Sequence, residues 1–99
     1  MSQDTQLFVV ERHAAVMTRH DLDAAHHALV QATRRLTAAG DQVRYLRSTY
    51  LPTRQRWMGL FAATARETVH RVVEMAQLPW VEVLDAVEPT SPDPRRSGG

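Results

Sequence analysis

Apolar residues follow two different rhythms along this chain. Between Thr18 and Gly40, Leu22, Ala25, Leu29, Thr33 and Leu36 recur at the spacing of one helix face. Thr18 can act as an N-cap and Asp21 can return a bond to it, a weak capping box. Gly40 stands where a C′ residue is needed. His26 lies four residues after Leu22 and three before Leu29, so the pattern puts its imidazole on the apolar face, with His27 one step toward the edge. Elsewhere the rhythm is alternation, the mark of strands. Leu7 to Arg12 carries Leu7, Val9 and Glu11 on one side and Phe8, Val10 and Arg12 on the other. Val43 to Tyr50 and Arg56 to Ala63 form two further strands, and the short link through Pro52 predicts an antiparallel hairpin. Thr64 with Glu67 reads as a capping box opening a second helix, with Val69, Val72, Val73 and Ala76 as its apolar stripe. Val81 to Val87 alternates again as a fourth strand.

The order is β-α-β-β-α-β, which predicts an α+β, ferredoxin-like domain with a four-stranded antiparallel sheet and two helices on one face. It spans residues 6–88. Pro89 to Gly99 has no large apolar residue and is expected to be a disordered tail, and the polar start Met1 to Thr5 is expected to fray. The first and third strands are apolar on both sides. Helices cover only one face of such a sheet, so something must cover the other. A second copy is the simplest cover, which predicts a homodimer packed sheet to sheet, a dimeric α+β barrel, with an internal cavity against that face as the alternative.

Composition changes this picture little. The 99 residues suit one domain, and without cysteine no disulfide or thiolate site exists. All twelve basic residues are arginine, while Lys, Ile and Asn are absent, which points to GC-rich coding. A net charge of +1 argues against a nucleic-acid partner. No signal-like or membrane-spanning run is present, so a soluble cytoplasmic protein with no membrane partner is expected.

Candidate chemistry gathers around His26. Glu11 and Arg12 end the first strand. Simple alternation puts Tyr45 and Arg47 on one face of the second strand and Ser48 and Tyr50 on the other. A neutral imidazole near a carboxylate is a usable acid or base, and an adjacent arginine can hold an anionic oxygen. His26, Glu11, Arg12, Tyr45 and Arg47 are thus the candidate catalytic set, with Tyr45 as the orienting group. Trp57, Phe61, Tyr45, Tyr50, Met58 and Trp80 can line an apolar pocket or simply form core and dimer interface. The plainer alternative for His26 is a strut, its ring hydrogen-bonded to Tyr45, Glu11 or a carbonyl to tie helix to sheet.

The stretches VVER, T..DL.AAH, RYLRSTYLP, MGLFAAT and V..V...A.LP resemble a family of small ferredoxin-like proteins, some of which bind nickel. The resemblance runs from Phe8 to Val87. It implies the same fold, and for nickel-binding members histidines near the end of the first strand and in or after the second helix. This chain has Glu11 and Arg12 at the first place and Val73 and Leu78 at the second. Around Gly59 and Ala62 it also lacks the Cys and Glu common in the family's third strand. His26 is the one implied ligand retained.

Two functions from different classes follow. The first is a small organic ligand bound in an apolar pocket between the first helix and the sheet, with cofactor-free acid–base chemistry of the cyclase or isomerase type. The alternative is a nickel or other divalent-metal site built from His26, Glu11, His13 and His20, although no compact HxxxH pair is present. A third reading is a non-catalytic dimeric interaction module.

Overall fold

The computed structural model describes residues 5–79 and 82–88. Its elements are β1 (Gln6–His13), α1 (Arg19–Ala38), β2 (Val43–Leu51), β3 (Arg56–Ala63), α2 (Arg66–Met75) and β4 (Glu82–Ala86). The strands form one antiparallel sheet in the order β2-β3-β1-β4. Both helices lie on one face, giving the ferredoxin-like arrangement expected from the order of patterns. The expected tail at 89–99, the polar start before Thr5, Trp80 and Val81 lie outside the described residues.

Local signals set the ends of α1. Thr18 accepts from the Asp21 N–H at 3.0 Å, and the Asp21 carboxylate accepts from the Thr18 N–H at 2.9 Å, so the capping box is complete. At the other end Gly40 takes φ +105°. There the Gly40 N–H bonds Thr37 O and the Asp41 N–H bonds Leu36 O, each at 3.0 Å, a Schellman closure. The second capping box does not form. Ala65, in extended conformation, is the N-cap of α2 and caps through no side chain. The reason is that β3 runs on to Ala63 and the Thr64 N–H still reaches toward Gln42 O, so Thr64 belongs to the strand end.

The core lies between the helices and the sheet. Phe8, Val10, Trp57, Phe61 and Val83 project from the strands onto Leu29, Ala32 and Leu36 of α1 and Val69, Val72 and Val73 of α2. Each large side chain buried this way contributes about 1.5–3 kcal/mol. The buried line of α1 is Ala25, Leu29, Ala32 and Leu36, with Ala32 in the place expected for Thr33. His26 is consequently not on the apolar face but exposed at its flank. The alanines are what bring α1 close to the sheet. Arg66 joins α2 to β4 by donating to Val83 O and to the Asp85 carboxylate.

β2 contains the main departure from simple alternation. Tyr45 pairs with Phe61 but Arg47 pairs with Leu60, so Leu46 is an extra residue in a β-bulge. An inserted residue reverses the facing of everything after it. Tyr45, Ser48 and Tyr50 therefore share the helix-covered face, while Arg47 moves to the open face with Arg44 and Thr49. The expected pairing of Tyr45 with Arg47 is corrected accordingly.

The open face carries Leu7, Val9, Met58, Leu60 and Leu84, none of them fully buried. Glu11 forms an ion pair with Arg56 at its margin. No described helix is long and apolar enough to cross a membrane.

Gly59 sits under the Trp57 ring. A Cβ there would lie 2.9 Å from Trp57 Cη2 and 3.2 Å from Phe61 Cε1. Gly59→Ala is expected to destabilise the fold by about 1–3 kcal/mol through overpacking, read as a lower urea midpoint with an unchanged slope. An unchanged midpoint would mean that the indole can shift freely.

Candidate functional site

Two clefts flank the N-terminal half of α1. On the β2 side, Leu22, Asp23 and His26 face Ser48, Thr49 and Tyr50 across a space of about 310 Å³. The His26 Nδ1 lies 2.9 Å from the Tyr45 hydroxyl, and that hydroxyl donates to Ser48 Oγ at 2.8 Å. The Tyr45 oxygen thus bridges His26 Nδ1 and the Ser48 hydroxyl, and the contact at Nδ1 orients the ring. The His26 and Tyr45 rings are 5.2 Å apart and tilted, and Tyr45 continues onto the buried Phe61 at 5.3 Å. The Tyr45 phenol is pushed above its ordinary pKa by burial. Ser48 opposes that shift, because its hydroxyl can turn and donate to the phenolate once the proton has left.

On the other side of α1, the segment Arg12 to Met17 faces Asp21, Ala24, Ala25 and Ala28, with Ala76 and Leu78 closing a larger cleft of about 530 Å³. Tyr50 stands between the two spaces. It lines the first, and its hydroxyl donates to Ala14 O at 3.1 Å, holding the loop that borders the second.

The five residues expected to act together are thus divided. His26 and Tyr45 meet, as the strut alternative also required. Arg12 projects into the larger cleft. Glu11 and Arg47 lie on the open face, Glu11 with Arg56 and Arg47 within 3.9 Å of Glu88. Ser48 and Asp23 are the cleft residues that the pattern reading missed. Ser48 was hidden by the bulge. Asp23 follows from helical spacing, three residues before His26.

The metal set does not gather either. His13 Nε2 faces Gln55 Oε1 at 3.3 Å, His20 is exposed on the first turn of α1, and Glu11 is on the opposite side of the sheet from His26. Among the described residues no three His, Cys, Asp or Glu side chains come together as a metal shell. His26 and Asp23 border one cleft, two donors where a nickel or zinc site needs more. One chain's described residues therefore do not fit a complete nickel site.

The raised Tyr45 pKa has a consequence for stability. Folding favours the neutral phenol, so this contribution is intact below the ordinary phenol range near 10 and is lost as pH rises through the folded value. In a Tyr50→Phe background, the phenolate absorbance of Tyr45 is expected to appear later than that of a free tyrosine, and Ser48→Ala should delay it further. An earlier transition in Ser48→Ala would show that the Ser48 hydroxyl does not stabilise the phenolate.

Comparison with known proteins places this geometry in context. A search of curated proteins gives no match. The crystal structure of SCO4226 from Streptomyces coelicolor A3(2) superposes with a TM-score of 0.69 at 21% sequence identity, covering 87% of this chain and 99% of that one. At that identity the likeness carries the fold. The family model described as nickel responsive protein SCO4226-like matches residues 8–85, nearly all of the described domain, and the chain belongs to that family.

Proposed function

We propose that this chain is a small-molecule-binding domain in which His26 is the proton-accepting group of the cleft between α1 and β2. The observation that supports this is the His26–Tyr45–Ser48 relay, which orients the ring and leaves Nε2 turned away from its partner. An imidazole oriented by a second group is the arrangement used in general acid–base catalysis. It suits ligands with an acidic C–H or O–H, and a cofactor-free isomerisation or cyclisation is the reaction such a pair would serve. Glu11 and Arg47 are left out of this role.

The second reading is a nickel or other divalent cation, favoured by the family description. In that case His26 Nε2 and Asp23 would supply part of the shell, and the remaining ligands would come from outside this chain's described residues.

A homodimer through the open sheet face belongs to the same proposal. Leu7, Val9, Met58, Leu60 and Leu84 form an apolar surface that water leaves uncompensated. Its two edges differ in charge, with Arg44 on β2 and Glu82 on β4, while Arg47 is already paired with Glu88. A two-fold axis along the strands sets each basic edge against the partner's acidic edge, which makes the face self-complementary.

Two measurements test these points. In the first, 1,3-dicarbonyl and phenolic compounds are titrated while amide shifts are followed. Binders should move Leu22, His26, Ser48 and Thr49, and His26→Gln should remove the response while changing stability by no more than about 1 kcal/mol, as for an exposed site. Nickel chloride titrated alone separates the second reading, which expects saturable, His26-dependent binding instead. Responses that persist in His26→Gln would overturn both. In the second, light scattering at micromolar concentration should give a dimer, and Leu60→Glu should give a folded monomer. A monomeric parent protein would sink the sheet-to-sheet assembly.

A further inference from the structure

We infer that the larger cleft, on the opposite flank of α1 from His26, is a separate binding site for a small monocarboxylate with an apolar body, held by Arg12. This does not depend on the role proposed for His26. Arg12 leaves β1 on the helix-covered face, and its guanidinium carbon lies 5.9 Å from the centre of the Trp57 ring. Its Nη2 points at the Met17 sulfur at 3.9 Å, a weak acceptor, and its buried Nε has no acceptor among the described residues. The ion pairs among the described residues are Arg47–Glu88, Arg56–Glu11, Arg66–Asp85 and Arg71–Asp41, and none satisfies Arg12. Burial lowers the Arg12 pKa, as expected for a cation that has lost water without gaining a counter-ion.

A half-desolvated guanidinium with unused donors is costly, and a carboxylate is its natural complement because two oxygens match the Nε and Nη2 edge. Met17 is the group in the way. Its unbranched thioether can swing aside at little cost and would then flank the apolar part of the ligand. The remaining wall is mostly alanine, leucine and methionine. Ala24, Ala25 and Ala28 have short side chains, and that is what leaves depth beside the helix. The volume of about 530 Å³ is within the range of small-molecule sites.

The other titratable groups facing Arg12 narrow the ligand class. Asp21 is on the rim and is kept ionised by the Thr18 N–H. Its negative charge disfavours a second anionic group, so dicarboxylates and phosphate esters fit worse than a monocarboxylate. His13, also on the rim, faces Gln55. The ligand's carboxylate goes to Arg12 and its apolar body lies toward Ala28 and Leu78.

The test titrates 4-phenylbutyrate, and separately its neutral amide, into the full chain. The Arg12 Nε–H resonance and the amides of Ala24, Ala25 and Ala28 are followed by NMR. The carboxylate should bind saturably, shift the Nε–H signal and bind at least about tenfold more tightly than the amide. Arg12→Met should abolish that preference. Because Arg12→Met removes a group stacked on the core, Ala24→Phe provides a second variant. It fills the cleft from an exposed helix position and should block the carboxylate without unfolding the protein. Equal binding of acid and amide, unchanged binding in Ala24→Phe, or shifts confined to Leu60 and Leu84 on the open face would each overturn the inference. So would the absence of any saturable binding of the carboxylate to the folded parent protein.

Discussion

The indole of Trp57 lies over Gly59, and the rest of the helix-covered face is arranged around that contact. Gly59 has no Cβ, so the ring can lie down across the strand rather than stand up against α1. Trp57 is 1% exposed, and Phe61, two residues before the strand ends, is fully buried. The flat ring leaves height for Leu29 and for the alanines of α1 to approach the sheet. It also offers a face to Arg12, whose charge could not otherwise lie so near the core. Packing and candidate chemistry therefore meet at one residue. Trp57 supports a cation that lacks a carboxylate among the described residues, and that cation gives the larger cleft its polarity.

The bulge at Leu46 has the corresponding role on the other flank. Without the extra residue, Ser48 would face away from α1 and Tyr45 would have no hydroxyl beside it. With it, Tyr45, Ser48 and Tyr50 fall on one face within a single stretch of β2. Tyr45 can then reach up to His26, and Tyr50 can reach the carbonyls of Ala14 and Ala15. Bulges concentrate where a side chain must be re-aimed. This one both builds the His26 relay and fixes the loop that separates the two clefts.

What could be read from the chain follows the range of the interactions involved. The capping box at Thr18 and Asp21 and the closure at Gly40 depend on neighbours within one turn, and both were legible. The order of strands and helices along the chain, and the β2–β3 hairpin, followed from alternation and link lengths. The spacing from Leu22 and Leu29 puts His26 on the apolar face, but the buried line takes Ala32 in place of Thr33 and leaves His26 at its flank. The true centre includes Ala25 and Ala32, small residues whose role is close approach rather than bulk. The bulge was illegible because it is a property of pairing with β3, and no local residue preference at Leu46 announces it. The failed capping box at Thr64 has the same origin, since the hold of β3 and Gln42 on the chain there outweighs a local motif.

The family match and the donor set point in different directions for a physical reason. A fold of this kind is maintained by buried positions such as Phe8, Val10, Leu29, Phe61 and Val72, which tolerate exchange only for residues of similar volume. A metal shell depends instead on a few surface side chains, which can be replaced one at a time at little cost to the core. Membership therefore carries the sheet and helices, which packing maintains, whereas the ligands must be counted in each chain. In this one, the places that resemblance would give to histidine hold Glu11 and Arg12 at the end of β1 and Val73 and Leu78 in and after α2. Of these, Arg12 and Leu78 line the larger cleft, one as its cation and one as apolar wall.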